Sequence, residues 1–292
     1  MVGLIIAAIA QTPPTPFIAL GDGTPVAIRS FDMGTSDEVA RLSKSDADLI
    51  IVRFPKWGPK PELVAKSLQR TGKSRRVVMV EFPALGASPS HGLLWRLDWD
   101  KDRDGKLDED APTWLKPRNS DGIYPLDTTN LTIRNRMLGP SGLVATIAKA
   151  GFDGIVVSSV SDPGARPGYD ARLLTDIMSE GRLRRKGFAT FVRNPGALMD
   201  YPAIRTLMDG FIADGLFFGE KEFNAPSSPG FVEDSVKRLE WASKRQKVVL
   251  SIAYTNLPEQ IAENRKLALE RRFIPLARNK RLEAAEAPEP PR

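Results

Sequence analysis

The sequence predicts an α/β fold, a single-domain (β/α)8 TIM barrel. Three observations carry this expectation. Short apolar runs alternate with amphipathic segments from about residue 26 onward, the pattern that gives parallel strands joined by crossover helices. Eight such runs fit within about 250 residues, the usual length of such a barrel. No Gly-x-Gly-x-x-Gly loop follows the first run, which argues against a doubly wound dinucleotide-binding sheet.

In chain order the predicted strands are residues 25–31, 47–52, 76–80, 123–126, 154–157, 187–192, 210–213 and 247–253. Helical periodicity marks 36–42, 61–68, 142–150, 169–178 and 232–241. Several of these open on Ser or Pro, as helix starts do. The barrel is expected over 17–283, with an acidic insertion at 98–110 and a Pro- and Glu-rich, disordered tail at 284–292. Residues 1–16 divide into an apolar stretch ending in Ala8-Ile-Ala10 and a Pro-rich linker. The stretch is too short to span a bilayer. It reads either as a secretion signal, which makes the protein secreted or periplasmic, or as the strand-forming N-terminus of a cytoplasmic protein.

Composition excludes several chemistries. There is no cysteine, so disulfides, thiolate metal sites and cysteine nucleophiles are ruled out. The one histidine, His91, sits in the loop-like Gly86-Ala-Ser-Pro-Ser-His-Gly92, and no Gly-x-Ser-x-Gly elbow accompanies it, which disfavours a serine triad. The net charge of +6 is spread along the chain except at Arg182-Leu-Arg-Arg-Lys186 and Arg271-Arg272. Such runs read as solvated helix ends, so no nucleic-acid partner is expected. No membrane span is expected, and the sequence sets no oligomeric state.

In a (β/α)8 barrel the working residues stand just beyond the C-terminal ends of the strands, where side chains leave the packed interior and converge. Those positions are Asp32, Arg53, Glu81, Asp127, Ser158, Arg193 with Asn194, Asp214 and Tyr254. A polar cleft is expected there. Carboxylates at Asp32, Glu81, Asp127 and Asp214, with Trp57, Trp95 and Trp114 in the intervening loops, point to a sugar. Glycoside cleavage needs two carboxyl groups around one bond, and apolar sugar faces stack on indoles. Taken singly, each tryptophan reads as core or loop packing ahead of a sugar platform.

Five collinear motifs sharpen this: Tyr124-Pro-Leu-Asp-Thr-Thr-Asn130, Gly151-Phe-Asp-Gly154, Val192-Arg-Asn194, Asp209-Gly-Phe-Ile-Ala-Asp-Gly-Leu-Phe-Phe218 and Val248-Val-Leu-Ser-Ile-Ala-Tyr254, with Arg272-Phe-Ile-Pro-Leu-Ala277 closing the chain. Their order resembles the endo-alpha-1,4-polygalactosaminidase group, glycoside hydrolase family 114, over most of residues 47 to 283. The resemblance implies a secreted barrel that cleaves galactosamine-rich polysaccharide with acidic residues and no cofactor. On it, Asp127, Asn194, Asp214 and Tyr254 match family positions. The departures are as informative. Ser158 stands where the family has Asp, Gly86-Ala-Ser88 where it has Gly-Glu-Ala-Glu, and Ala253 where it has Asp. Serine cannot hold the charge that stabilises an oxocarbenium-like transition state. The expectation is therefore a site whose ancestral acids are partly lost. Glu81, a relocated carboxylate at the end of the third strand, and Asp214 opposite it are expected as the acid and base, and Asp32, Arg53, Asp127, Ser158, Asn194, Tyr254 and Trp57 as contacts to a polysaccharide ligand. The alternative is a non-catalytic carbohydrate-binding barrel.

Within the insertion, Asp100-x-Asp102-x-Asp104-Gly105 has the spacing of a calcium loop, with Asp108 at the ninth position and Ala111 where a bidentate Glu belongs. Interleaved Lys101, Arg103 and Lys106 fit a solvated charged insertion equally. A structural calcium ion is one expectation for this segment, and a metal-free loop the other.

Overall fold

The computed structural model describes residues 26–30, 36–44, 47–53, 61–69, 76–88, 94–101, 106–119, 122–158 and 167–278. Asp32, Trp57, His91, Asp102 and Asp104 lie outside the described residues, as do the N-terminal segment and the tail.

Eight strands form one sheet in chain order: β1 (Val26–Ser30), β2 (Leu49–Arg53), β3 (Val77–Pro83), β4 (Gly154–Ser158), β5 (Ala189–Arg193), β6 (Gly210–Asp214), β7 (Val248–Tyr254) and β8 (Ile274–Arg278). Every neighbouring pair is parallel. Between them run α1 (Ser36–Ser43), α2 (Pro61–Leu68), α3 (Leu131–Met137), α4 (Leu143–Ala150), α5 (Pro167–Arg184), α6 (Pro202–Leu207), α7 (Pro229–Ser243) and α8 (Pro258–Glu270). Among the described residues no helix is long and apolar enough to cross a membrane.

The sheet curls into a barrel because alternate residues pack on one another. Ile51, Met79, Val156, Phe191, Ile212, Leu250 and Ile274, one from each of β2 to β8, belong to a single buried cluster. Strands far apart in the sheet order meet only if that face is concave. The intervening residues, such as Val52, Val80, Val157, Val192 and Phe211, join a second cluster with the helices.

The expected number of strands holds, but its membership changes. Residues 123–126 are not a barrel strand. Tyr124–Pro125 pairs antiparallel with Gly86–Ala87 in a separate two-stranded sheet, and the barrel's last strand is β8. Pro275 inside a short apolar run argues against a strand, because it cannot donate to a ladder, yet β8 accommodates it. Pro125 stands in a run only long enough for two paired residues.

The long excursion between β3 and β4 has its own aromatic core. Trp95 meets Trp99 edge-on at 5.9 Å and Trp99 meets Trp114 at 5.3 Å, while Tyr124 tilts against Trp95. All four rings are buried. Trp95 and Trp114 are thus packing residues rather than sugar platforms, because both are buried against Trp99, and Trp95 also against Tyr124. Thr128 donates to Asp170 in α5 at 2.8 Å, tying the excursion to the barrel.

Two Asp-Gly pairs fix strand starts at the opposite end. Asp153, before β4, accepts the Val78 amide at 3.0 Å and Arg185 at 2.9 Å. Asp209, before β6, accepts the Thr190 amide at 2.8 Å and Arg182 at 2.9 Å. Arg184 is held by Glu180 within α5. The arginines of the basic run therefore serve the fold, and burial pushes the Asp209 carboxyl above its ordinary range despite Arg182. The glycines allow close approach. A Cβ on Gly154 would collide with the Ala189 carbonyl, and one on Gly210 would come within 2.7 Å of the Phe191 ring.

Candidate functional site

Counting by twos along each strand carries the interior face to its C-terminal end. Arg53 follows Leu49 and Ile51, Glu81 follows Val77 and Met79, and Asp214 follows Gly210 and Ile212. Ser158, Arg193, Tyr254 and Arg278 arrive the same way. All seven are at least nine-tenths buried. Strand periodicity thus gathers charged side chains at one end of a barrel whose remaining interior is apolar.

The charges interlock. Arg53 donates from Nε and Nη2 to the two oxygens of Glu81 at 3.0 and 2.8 Å, a forked pair. Arg193 donates from Nη1 to Glu81 Oε1 at 2.9 Å and from Nε to Asp214 Oδ2. Asn194, in the left-handed region at φ 48°, holds Asp214 from the other side. Its Nδ2 donates to Oδ2 at 3.2 Å, and its Oδ1 accepts the Asp214 amide at 2.8 Å. Desolvating this many charges costs several kcal/mol per ion unless each finds partners. The alternation of guanidinium and carboxylate supplies them.

Because one guanidinium touches both, the Glu81 and Asp214 carboxylates stand on the order of 5–8 Å apart, its width plus two hydrogen bonds. The space between them is filled by Arg193. Two acceptors remain turned away from this network. Asp214 Oδ1 and Ser158 Oγ are buried with no hydrogen-bond partner among the described residues. Ser158 pairs in register with Pro83, two residues beyond Glu81.

Of the residues expected at this end, the structure brings together Arg53, Glu81, Asn194 and Asp214, with Ser158 and Tyr254 on the same inward face. Asp127 is a correction. It follows the short strand Tyr124–Pro125, not a barrel strand, and its partners are Thr129, at 2.6 Å from the hydroxyl, and Lys116 at 3.3 Å. The Thr129 hydroxyl holds its carboxyl below the usual range. Tyr254 contributes its ring to the interior apolar cluster. Arg193, expected at this end as one strand-end residue among several, is its central bridge. The inward Arg278 was not among the expected positions, and the period of two from Ile274 is the signal that would have found it.

In the acidic loop, Asp100 is buried and its Oδ1 lacks a partner, while Asp108 accepts the Lys101 amide at 2.9 Å. Lys101 pairs with Asp110, and Arg96 with Asp98. No group of three or more metal-type side chains occurs among the described residues.

No protein-family model and no curated protein matches the sequence. Solved structures do match in fold. The glycoside hydrolase domain of PelA from Pseudomonas aeruginosa superposes with a TM-score of 0.58 at 12% identity, covering 87% of this chain and 94% of that one. The alpha-galactosidase TtGalA from Thermus thermophilus, in complex with stachyose, gives 0.53 at 12% identity over 93% of this chain, which spans 64% of that enzyme. Eubacterium rectale Amy13B gives 0.52 at 11% identity, covering 92% of this chain and 67% of that one. At these identities the likeness concerns architecture, and the chain is a (β/α)8 barrel of the kind on which those proteins are built.

Proposed function

We propose that this protein is a glycoside-hydrolase-type barrel that binds a polysaccharide at its C-terminal mouth and holds it without cutting it. The observation that carries this reading is the Arg193 bridge. Retaining hydrolases keep their two carboxyls about 5–5.5 Å apart and inverting ones about 6.5–9.5 Å, with the scissile bond or a water between. Here a guanidinium lies in that gap. Glu81 already accepts three guanidinium hydrogen bonds, so serving as a proton donor would break at least one of them. Ser158, in the position where the resembling family carries Asp, adds no charge. What is left is suited to recognition: Asp214 Oδ1 and Ser158 Oγ are acceptors for sugar hydroxyls.

The collinear motifs tie the barrel to the polygalactosaminidase group, which makes galactosamine-containing polysaccharide the ligand of choice. The same proposal places the protein outside the cytoplasm and assigns the acidic loop a structural calcium ion through Asp100. Incubation with galactosamine-containing exopolysaccharide tests it. Retention of the polymer, weakened by Asp214→Asn, with no new reducing ends, is expected. Reducing ends that appear with the wild type and vanish in Glu81→Gln or Asp214→Asn would establish hydrolysis and overturn the proposal.

A further inference from the structure

A cavity of about 370 Å³ opens beside the mouth, between the turn after β5 and helix α7. Two glycines leave it open. Gly196 takes φ 48° and Gly230 stands in the first turn of α7, and at neither would a Cβ meet any atom within 4 Å. Met199, Ala213 and Leu239 form a buried apolar floor, and Phe231 is a half-buried wall. Asn194 lines the cavity while its side chain grips Asp214, so the two spaces share one residue.

The polar wall has a definite sign. Asp234 and Arg238 lie one helical turn apart on the same face of α7. Arg238 is engaged by Asp200 at 3.3 Å. Asp234 is exposed, and no hydrogen bond or ion pair occupies it among the described residues. With Arg238 engaged by Asp200 outside the lining, Asp234 is the lining carboxylate whose charge is left for a ligand. The mouth differs, since both of its carboxylates are committed to arginines.

We infer that this cavity is a second saccharide site, which takes one sugar ring bearing a protonated amine. The ring lays its apolar face on Phe231, its ammonium sits beside Asp234, and Ser235 and Asn194 meet its hydroxyls. The volume is within the range of small-ligand pockets, about 300–1,000 Å³. This inference rests on the saccharide reading of the mouth, but it puts recognition of positive charge in the side cavity.

Calorimetric titration with galactosamine oligomers and with neutral galactose oligomers of equal length tests it, using the wild type, Asp234→Asn, Gly230→Trp and Asp214→Asn. The wild type should bind the amine-bearing oligomer about tenfold more tightly, on the scale of one charge-assisted hydrogen bond. Asp234→Asn should erase that preference and leave neutral binding intact. Gly230→Trp, which fills open space, should weaken both ligands while circular dichroism stays unchanged. Asp234→Asn is an exposed substitution and keeps the test valid if the tryptophan variant misfolds. A preference unchanged in Asp234→Asn overturns the inference. Loss of binding in Asp214→Asn alone retains the mouth and rejects the cavity, loss confined to Asp234→Asn and Gly230→Trp does the reverse, and no binding of either sugar by the wild type rejects both.

Discussion

Replacing Arg193 by methionine removes the guanidinium that joins the two carboxylates while keeping much of its apolar stem. Glu81 retains the fork from Arg53, so most of the cost falls on Asp214, which keeps only the Asn194 amide. Both carboxylates are at least nine-tenths buried, and stranding a buried partner typically costs about 3–5 kcal/mol. At about 2–4 °C per kcal/mol for a chain of this size, the melting temperature should fall on the order of 10 °C. Urea and thermal melts at neutral pH measure this. The double substitution Arg193→Met, Asp214→Asn should restore about 1 kcal/mol or more, because it removes the stranded charge. A loss below about 1 kcal/mol, or strict additivity in the double variant, would refute the view that Arg193 holds the mouth together.

Gly154→Ala should cost about 1–3 kcal/mol by urea titration and exceed Gly210→Ala, since the added methyl meets a backbone carbonyl in one case and a ring able to tilt in the other. Equal losses would reject that distinction. Burial raises the Asp209 carboxyl above its ordinary value. Between the two values the folded state keeps a proton that the unfolded chain has released. Its contribution to stability therefore grows as pH falls from the raised value toward the ordinary carboxylate range. Asp209→Asn should lack this gain, so its deficit should widen on acidification, and a deficit independent of pH would contradict the assignment. Calcium should raise the wild-type melting temperature, by about 2.7 kcal/mol of stabilisation at a hundredfold excess over the dissociation constant, and should do nothing in Asp100→Asn. An equal response of the two proteins, or none in either, would remove calcium from the acidic loop.

The residues that end β2 to β7 were legible because a strand's period of two is local. Once Ile51 or Met79 is placed inward, Arg53 and Glu81 must follow. The starts of β4 and β6 were legible from their apolar runs, whereas the use of Asp153 and Asp209 to hold the Val78 and Thr190 amides did not show in the sequence. Residues 123–126 read as a barrel strand despite Pro125, and the run that forms β8 went unassigned although the sheet accommodates Pro275, because the penalty proline signals depends on whether a neighbouring strand needs the missing donor. Trp95 and Trp114 carried two readings, loop packing and sugar platform, and only the fold shows that Trp99 and Tyr124 cover them.

What the sequence determined by itself was the alternating architecture and the chemical identity of the inward ends of β2 to β7: Arg53, Glu81, Ser158, Arg193, Asp214 and Tyr254. Tertiary structure alone decided that Arg193 lies between Glu81 and Asp214, which are 112 and 21 positions from it along the chain. Local periodicity chooses the face of each strand. Which faces meet depends on the curl of the whole sheet, and only that closure set a guanidinium where a scissile bond would otherwise sit.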